Sequence, residues 1–207
     1  MVAAALWLST LASGQTVANN SFETPALGTN SFLYNPIGAT WSFLGDSGII
    51  NSPGEGFFGP PALAGVQYAF LQSAGTQGAF SQTISFTLSG TYRLSYLVAG
   101  RSNNGHGAAG DLSYQVLLDS LVIGIDSTTS AQPFTVRTFD FVASSGSHIL
   151  SFNAVSSGGD NTAFFDLVAI QIVPEPPVGV LMLSALGGLL FVRRLRNRKI
   201  SSGNGLT

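Results

Sequence analysis

The stretch FSQTISFTLSGTYRLSYLVA, Phe80 to Ala99, decides the fold class. Phe80, Ile84, Phe86 and Leu88 fall on one face of an extended chain, and Tyr92, Leu94, Tyr96 and Val98 fall on one face of the next. A period of two marks a half-buried strand, and aromatic and β-branched residues suit its pleated surface. Ser89-Gly90 between the runs reads as a tight hairpin turn. Outward from this pair, strands are expected at Val66–Gln72, Leu112–Leu118, Leu121–Ile125, Phe134–Val142, His148–Val155 and Thr162–Val173. Within Phe134–Val142 the apolar phase switches, from Phe134 and Val136 to Phe139 and Phe141, which predicts a bulge near Arg137-Thr138. No long 3.6-residue period interrupts the series. About eight strands with Gly, Asn and Ser turns make an all-β fold, a jelly-roll-like two-sheet β-sandwich.

The chain has 207 residues, of which 9% are charged, and no Cys. Without disulfides the core itself must hold the domain, and 15 Phe and 5 Tyr supply it. Charge is unevenly placed. Five of eight basic residues (Arg193, Arg194, Arg196, Arg198 and Lys199) stand together, and only Arg93, Arg101 and Arg137 precede them. A body with three basic and ten acidic residues has no basic patch for phosphates, so nucleic acid is excluded as a partner.

Both ends read as addresses. Val2 to Ala12 is an apolar run followed by small residues, the form of a signal peptide lacking its basic start. Ala12-Ser13-Gly14 offers cleavage before Gln15, and Thr16-Val17-Ala18 offers it before Asn19; residues 1–18 are taken as the signal and 19–172 as the ectodomain. At the other end, Pro174-Glu175-Pro176 precedes the 15 uncharged residues 178–192, then the basic cluster, then a polar tail at 200–207. As a helix the apolar run spans roughly 22 Å, short of the ~30 Å hydrocarbon core, with the arginines free to snorkel. The basic cluster stays cytoplasmic by the positive-inside rule, which exports the ectodomain.

This ordered triplet over residues 173–199 resembles the PEP-CTERM sorting signal of Gram-negative, biofilm-forming bacteria. The resemblance implies export through the Sec translocon, signal-peptidase cleavage and recognition by exosortase, a membrane-embedded transpeptidase. The chain would be transiently anchored, then released or attached at the cell surface. Pro177-Val178 replaces the Ser or Thr usual after the motif. Asn20-Ser21-Phe22-Glu23-Thr24-Pro25, Trp41-Ser42-Phe43 and Phe164 to Ile170 are similar to galactose-binding-like domains, which implies a carbohydrate-binding-module type of ectodomain.

The chemistry-bearing residues are sparse. His106 and His148 have no partner at zinc spacing, no nucleophile elbow is present, and the carboxylates are scattered singly. The expectation is therefore a protein with no catalytic residues and no cofactor beyond a structural calcium ion. Calcium takes carboxylate and carbonyl oxygens, and Glu23 and Asp166 would supply them if the first and last strands meet. Sugar recognition needs aromatic faces and side-chain amides or acids, for which Trp41, Asn103, Asn104 and Asp111 are the candidates; Tyr34, Phe57, Phe58 and Tyr68 lie in nearby loop-rich segments. The leading expectation is an ectodomain that binds extracellular polysaccharide. The rivals are a self-associating matrix protein and, less favoured, a glycan hydrolase.

Overall fold

A computed structural model describes residues 14–52, 57–102, 111–155 and 159–174. Residues 1–13 of the expected signal segment, Asn103, Asn104, His106, and the sorting segment from Glu175 onward lie outside the described residues. Among the described residues no helix is long and apolar enough to cross a membrane. Pro174 begins a second compact unit.

Among the described residues twelve strands follow in order: β1 (Gly14–Gln15), β2 (Phe32–Tyr34), β3 (Ser42–Leu44), β4 (Ser47–Asn51), β5 (Gln67–Gln72), β6 (Ala79–Phe86), β7 (Gly90–Gly100), β8 (Ser113–Leu118), β9 (Leu121–Ser127), β10 (Thr135–Ala143), β11 (Gly146–Ala154) and β12 (Thr162–Ile172). They form two antiparallel sheets. One has seven strands in the order β10-β7-β12-β5-β4-β2, with β1 also on β12; the other has five, β3-β6-β11-β8-β9. The sheets meet through aromatic rings: Phe80 and Phe152 of one stack at 4.8 Å, and both meet Phe165 of the other, at 5.3 and 5.4 Å. This shared core is the main reason the alternating strands hold their register, since a slip of one residue would expose every ring.

Two local expectations are corrected. The stretch through Ser89-Gly90 is not a hairpin: β6 pairs with β3 and β11, and β7 pairs with β10 and β12. The chain crosses from one sheet to the other there, because both alternating faces point into the same core; Phe86 and Tyr92 meet across it at 4.7 Å. Leu88, placed on the apolar face by its spacing, lies past the end of β6 and is exposed. Second, β10 carries no bulge and pairs with β7 in unbroken register from Thr135 to Ala143. Phe139 and Phe141 face the core; Arg137 shares their face, where it bonds Asp126, and Val136 is exposed.

Register shifts fall instead in the β8–β9 pair, between Val116 and Leu117, and in β12. The pairing of β12 with β7 shifts between Asp166 and Ala169, where Leu167 adopts a φ of 51°. On β12, Phe165 faces the core before the shift and Val168 and Ile170 after it, so the bulge switches which alternate residues point inward; Asp166, still in register beside Phe165, lies on the opposite surface with Phe164. β5 pairs with β12 only before the bulge, and β1 takes the vacated side after it, at Gln15↔Ile170. The sandwich thus begins before residue 19, and Ala18 is held on both sides by the Gln82 amide at 2.9 and 2.8 Å.

Candidate functional site

The register of the seven-stranded sheet lays three rows across its outer surface. Phe32, Ile50 and Tyr68 align in one; Tyr34, Gly48, Phe70, Phe164 and Ala99 in the next; Gln72 and Thr162 in the third, with Arg101 just past β7. Phe57, Ala62 and Phe134 cover part of this face, making a second small core on Ile50, Tyr68, Phe70, Ala99 and Phe164. Its uncovered margin is aromatic. Tyr34 meets Phe70 edge-on at 4.9 Å, and Phe57 lies 4.8 Å from Phe32 and 4.9 Å from Phe70. Gly48 permits this closeness, because a Cβ there would stand 2.8 Å from the Phe70 ring.

A polar chain runs along the third row beside the rings. The Tyr34 hydroxyl donates to Gln72 Oε1, and Gln72 Nε2 donates to Asp160 Oδ1 and Thr162 Oγ1, both at 2.8 Å. Asp160 Oδ2 pairs with Arg101 at 2.7 Å, and the guanidinium carbon sits 5.1 Å from the Phe57 ring centre. Arg101 is 5% exposed, so its charge is presented through a protein environment rather than through water. Burial raises the Tyr34 pKa first, with the charges of Asp160 and Asp46 adding to it, so the hydroxyl remains a donor. An aromatic wall with an acid, a cation, an amide and a phenol at its edge is the make-up of a small-ligand site.

Farther along the same sheet, Asp166 is fully buried and its Oδ2 has no hydrogen-bond partner. Oδ1 accepts from Leu167 N–H at 2.8 Å. Burial, opposed by the backbone N–H groups of Leu167 and Ala64 and aided by the nearby Glu23 charge, pushes the Asp166 carboxyl up to about 7. Glu23 Oε1 accepts from Val66 and Gln67 N–H at 3.0 and 2.9 Å. Gly65, at φ +65°, leaves the space that Glu23 fills, for a Cβ would fall 2.2 Å from Oε1. The structure therefore brings Glu23 and Asp166 together. Among the described residues no three His, Cys, Asp or Glu side chains gather, so a cation there would complete its shell from carbonyls and water.

A third cluster has the outline of a catalytic triad. His148 Nδ1 lies 2.7 Å from Asp119 Oδ2, and Nε2 lies 3.1 Å from Ser144 Oγ. Nε2 lies equally close to the carbonyl of Ser144 itself, at 3.1 Å, and the adjacent Ser145 N–H is spent on Ser89 Oγ. The Ile149 N–H, with His148 next in effect, holds the Asp119 carboxyl below its usual range. The cluster clamps the β10–β11 turn to the β8–β9 turn.

Of the residues expected to meet a ligand, Trp41 is 1% exposed. Its ring packs 5.2 Å from Phe22 and 5.5 Å from Phe80, and Nε1 donates to Asn19 O, so it has no face to offer. Asp111 is an exposed loop residue that accepts from Ser130 N–H at 2.7 Å. The rim residues Gln72, Arg101, Asp160 and Thr162 were not picked out by sequence; an arginine that begins a Gly-rich loop in so uncharged a chain was the available signal.

Two antiparallel sheets packed as a sandwich make this an all-β protein. The chain belongs to the HpiC1-like family, whose model, described as HpiC1 cyclase, matches residues 14–151. Among solved structures it is similar to the Stig cyclase Fisc from Fischerella sp. TAU, in complex with (3Z)-3-(1-methyl-2-pyrrolidinylidene)-3H-indole: 18% identity, 80% of this chain, 100% of that one, TM-score 0.61. It is also similar to TmCBM61 in complex with β-1,4-galactotriose, at 15% identity, 78% of this chain, 100% of that one, TM-score 0.54. These likenesses show a shared fold. No curated protein matches the chain. Family membership corrects the expectation of a non-enzymatic chain. That expectation rested on missing metal ligands and missing carboxylate pairs, neither of which a cyclisation requires: holding one substrate in a reactive conformation and placing one proton donor suffice.

Proposed function

We propose that the protein is an exported enzyme of the cyclase class that seats a small, largely apolar ring-bearing substrate on the outer face of the seven-stranded sheet. The observation that carries this reading is the Tyr34–Gln72–Asp160–Arg101 chain set along an aromatic wall, in a chain of a cyclase family. Phe32 and Tyr34, the exposed rings of the margin, hold the apolar body of the substrate against the buried Phe57 behind them, and the Arg101 guanidinium and the phenol of Tyr34 orient its polar end. A calcium ion between Glu23 and Asp166 would pin the segment 60–66 that covers this face; the orphaned, buried Oδ2 of Asp166 fits that role. The C-terminal PEP-CTERM-like segment would direct the sandwich to the cell surface through exosortase. There a second role, retention on extracellular polysaccharide, fits the fold shared with a carbohydrate-binding module.

Calorimetric titration with the indole compound bound by the Fischerella cyclase tests the first role. Saturable binding that Arg101→Met weakens by tenfold or more supports it. No binding, or equal binding by that variant, overturns the placement.

A further inference from the structure

The outer face of the five-stranded sheet carries a second, chemically different surface. Two grooves of about 380 Å³ and 460 Å³ lie on it, sharing Ser42, Ser81 and Ile149, so they form one continuous trough across β3, β6 and β11. No lining residue is ionisable, in a protein that has ten acidic residues. Register explains the pattern. Ser42 pairs with Ser81, and Ser81 with Ser151, so three hydroxyl-bearing side chains stand in a row perpendicular to the strands. The parallel row holds Leu44, Ala79 and Asn153, mixing aliphatic groups with an amide.

We propose that this trough binds a linear, neutral polysaccharide chain lying across the strands. Neighbouring strands are about 4.8 Å apart, so successive serines repeat at close to the length of one pyranose ring. Hydroxyls and the Asn153 amide match sugar hydroxyls, and Ile149, half exposed, and Leu44 offer aliphatic surface to sugar C–H faces. Absence of charge disfavours anionic and cationic ligands, and a trough continuing through both grooves suits a polymer better than a compact molecule. The N-terminal segment forms one wall: Thr16 and Ala18 line it, held by the Gln82 amide. This site rests on the polysaccharide-retention role proposed above, and lies on the opposite sheet from the substrate rim.

Affinity electrophoresis of the purified protein through gels containing β-1,4-galactan, dextran or anionic alginate tests it. The expected result is retardation by at least one neutral polymer and none by alginate. Ser81→Arg and Ser42→Arg, both on the solvent face, should each weaken retention tenfold or more, with far-UV circular dichroism confirming the fold. Ser42 is exposed on an edge strand, so its variant provides the test if Ser81→Arg misfolds. Arg101→Met should leave retention unchanged. Absence of retardation by either neutral gel overturns both the site and the retention role. Retention that survives both serine variants, or falls with Arg101→Met, overturns the trough alone.

Discussion

Replacing Asp166 by Asn removes a buried carboxyl whose Oδ2 has no partner, and the consequence depends on pH and calcium in a way that can be worked out. The carboxyl titrates near 7 when folded against 3.8 when free. Between those values the unfolded chain has released its proton and the folded one has not, so stability falls as pH rises from about 4 to about 7. The full swing is on the order of 4 kcal/mol, and about half that once solvent screening is allowed for. In chelator, the wild type should therefore lose roughly 1.3–2.6 kcal/mol relative to Asp166→Asn between pH 5 and pH 8, the remainder of the swing having been lost below pH 5. Calcium reverses the sign, because it binds the ionised carboxylate. With a dissociation constant in the 10⁻⁴–10⁻³ M range of extracellular sites, 10 mM calcium adds about 1.4–2.7 kcal/mol to the wild type at pH 8 and little to the variant. Urea unfolding followed by Trp41 fluorescence reads this directly, since that indole is buried in the core. Parallel pH profiles for the two proteins, or a calcium response that Asp166→Asn retains, would refute the reasoning.

Gly65→Ala should cost about 1–3 kcal/mol and blunt the calcium response, because the added methyl meets Glu23 at a positive φ; thermal melts with and without calcium check it. Phe165→Ala should cost about 3–5 kcal/mol, as expected for a ring at the junction of both sheets, while exposed Leu88→Ala should stay within about 0.5 kcal/mol in the same urea assay. Deleting residues up to 18 removes β1 and both Ala18–Gln82 bonds, so a chain starting at Asn19 should melt below one starting at Gln15, and mass mapping of the secreted N-terminus should find Gln15.

Long strands were legible because one face of each is buried: β6, β7, β8 and β11 all overlap stretches marked by the period of two. The short ones were not. β2 and β3 have three residues each, too few for a period, and β4 is buried at all five positions, so nothing alternates. Alternation also says which face is buried but not which sheet a strand joins, and for that reason Ser89-Gly90 read as a hairpin. Glu23 and Asp166 were named together from the expected pairing of first and last strands, and plain alternation with Phe165, ahead of the β12 bulge, turns Asp166 to the outer surface. Tyr34 and Phe57 stood among the noted aromatics. Gln72, Thr162 and Asp160 were hidden because a strand-end amide or hydroxyl acquires meaning only through its cross-strand neighbour, here Thr162 opposite Gln72.

The central claim is that the outer face of the seven-stranded sheet is the substrate surface. Amide chemical-shift mapping with the indole compound of the Fischerella cyclase tests it most directly. The account predicts saturable shifts concentrated at Phe32, Tyr34, Phe57, Gln72 and Arg101. Shifts confined to β3, β6 and β11, or none at saturating probe, would contradict it.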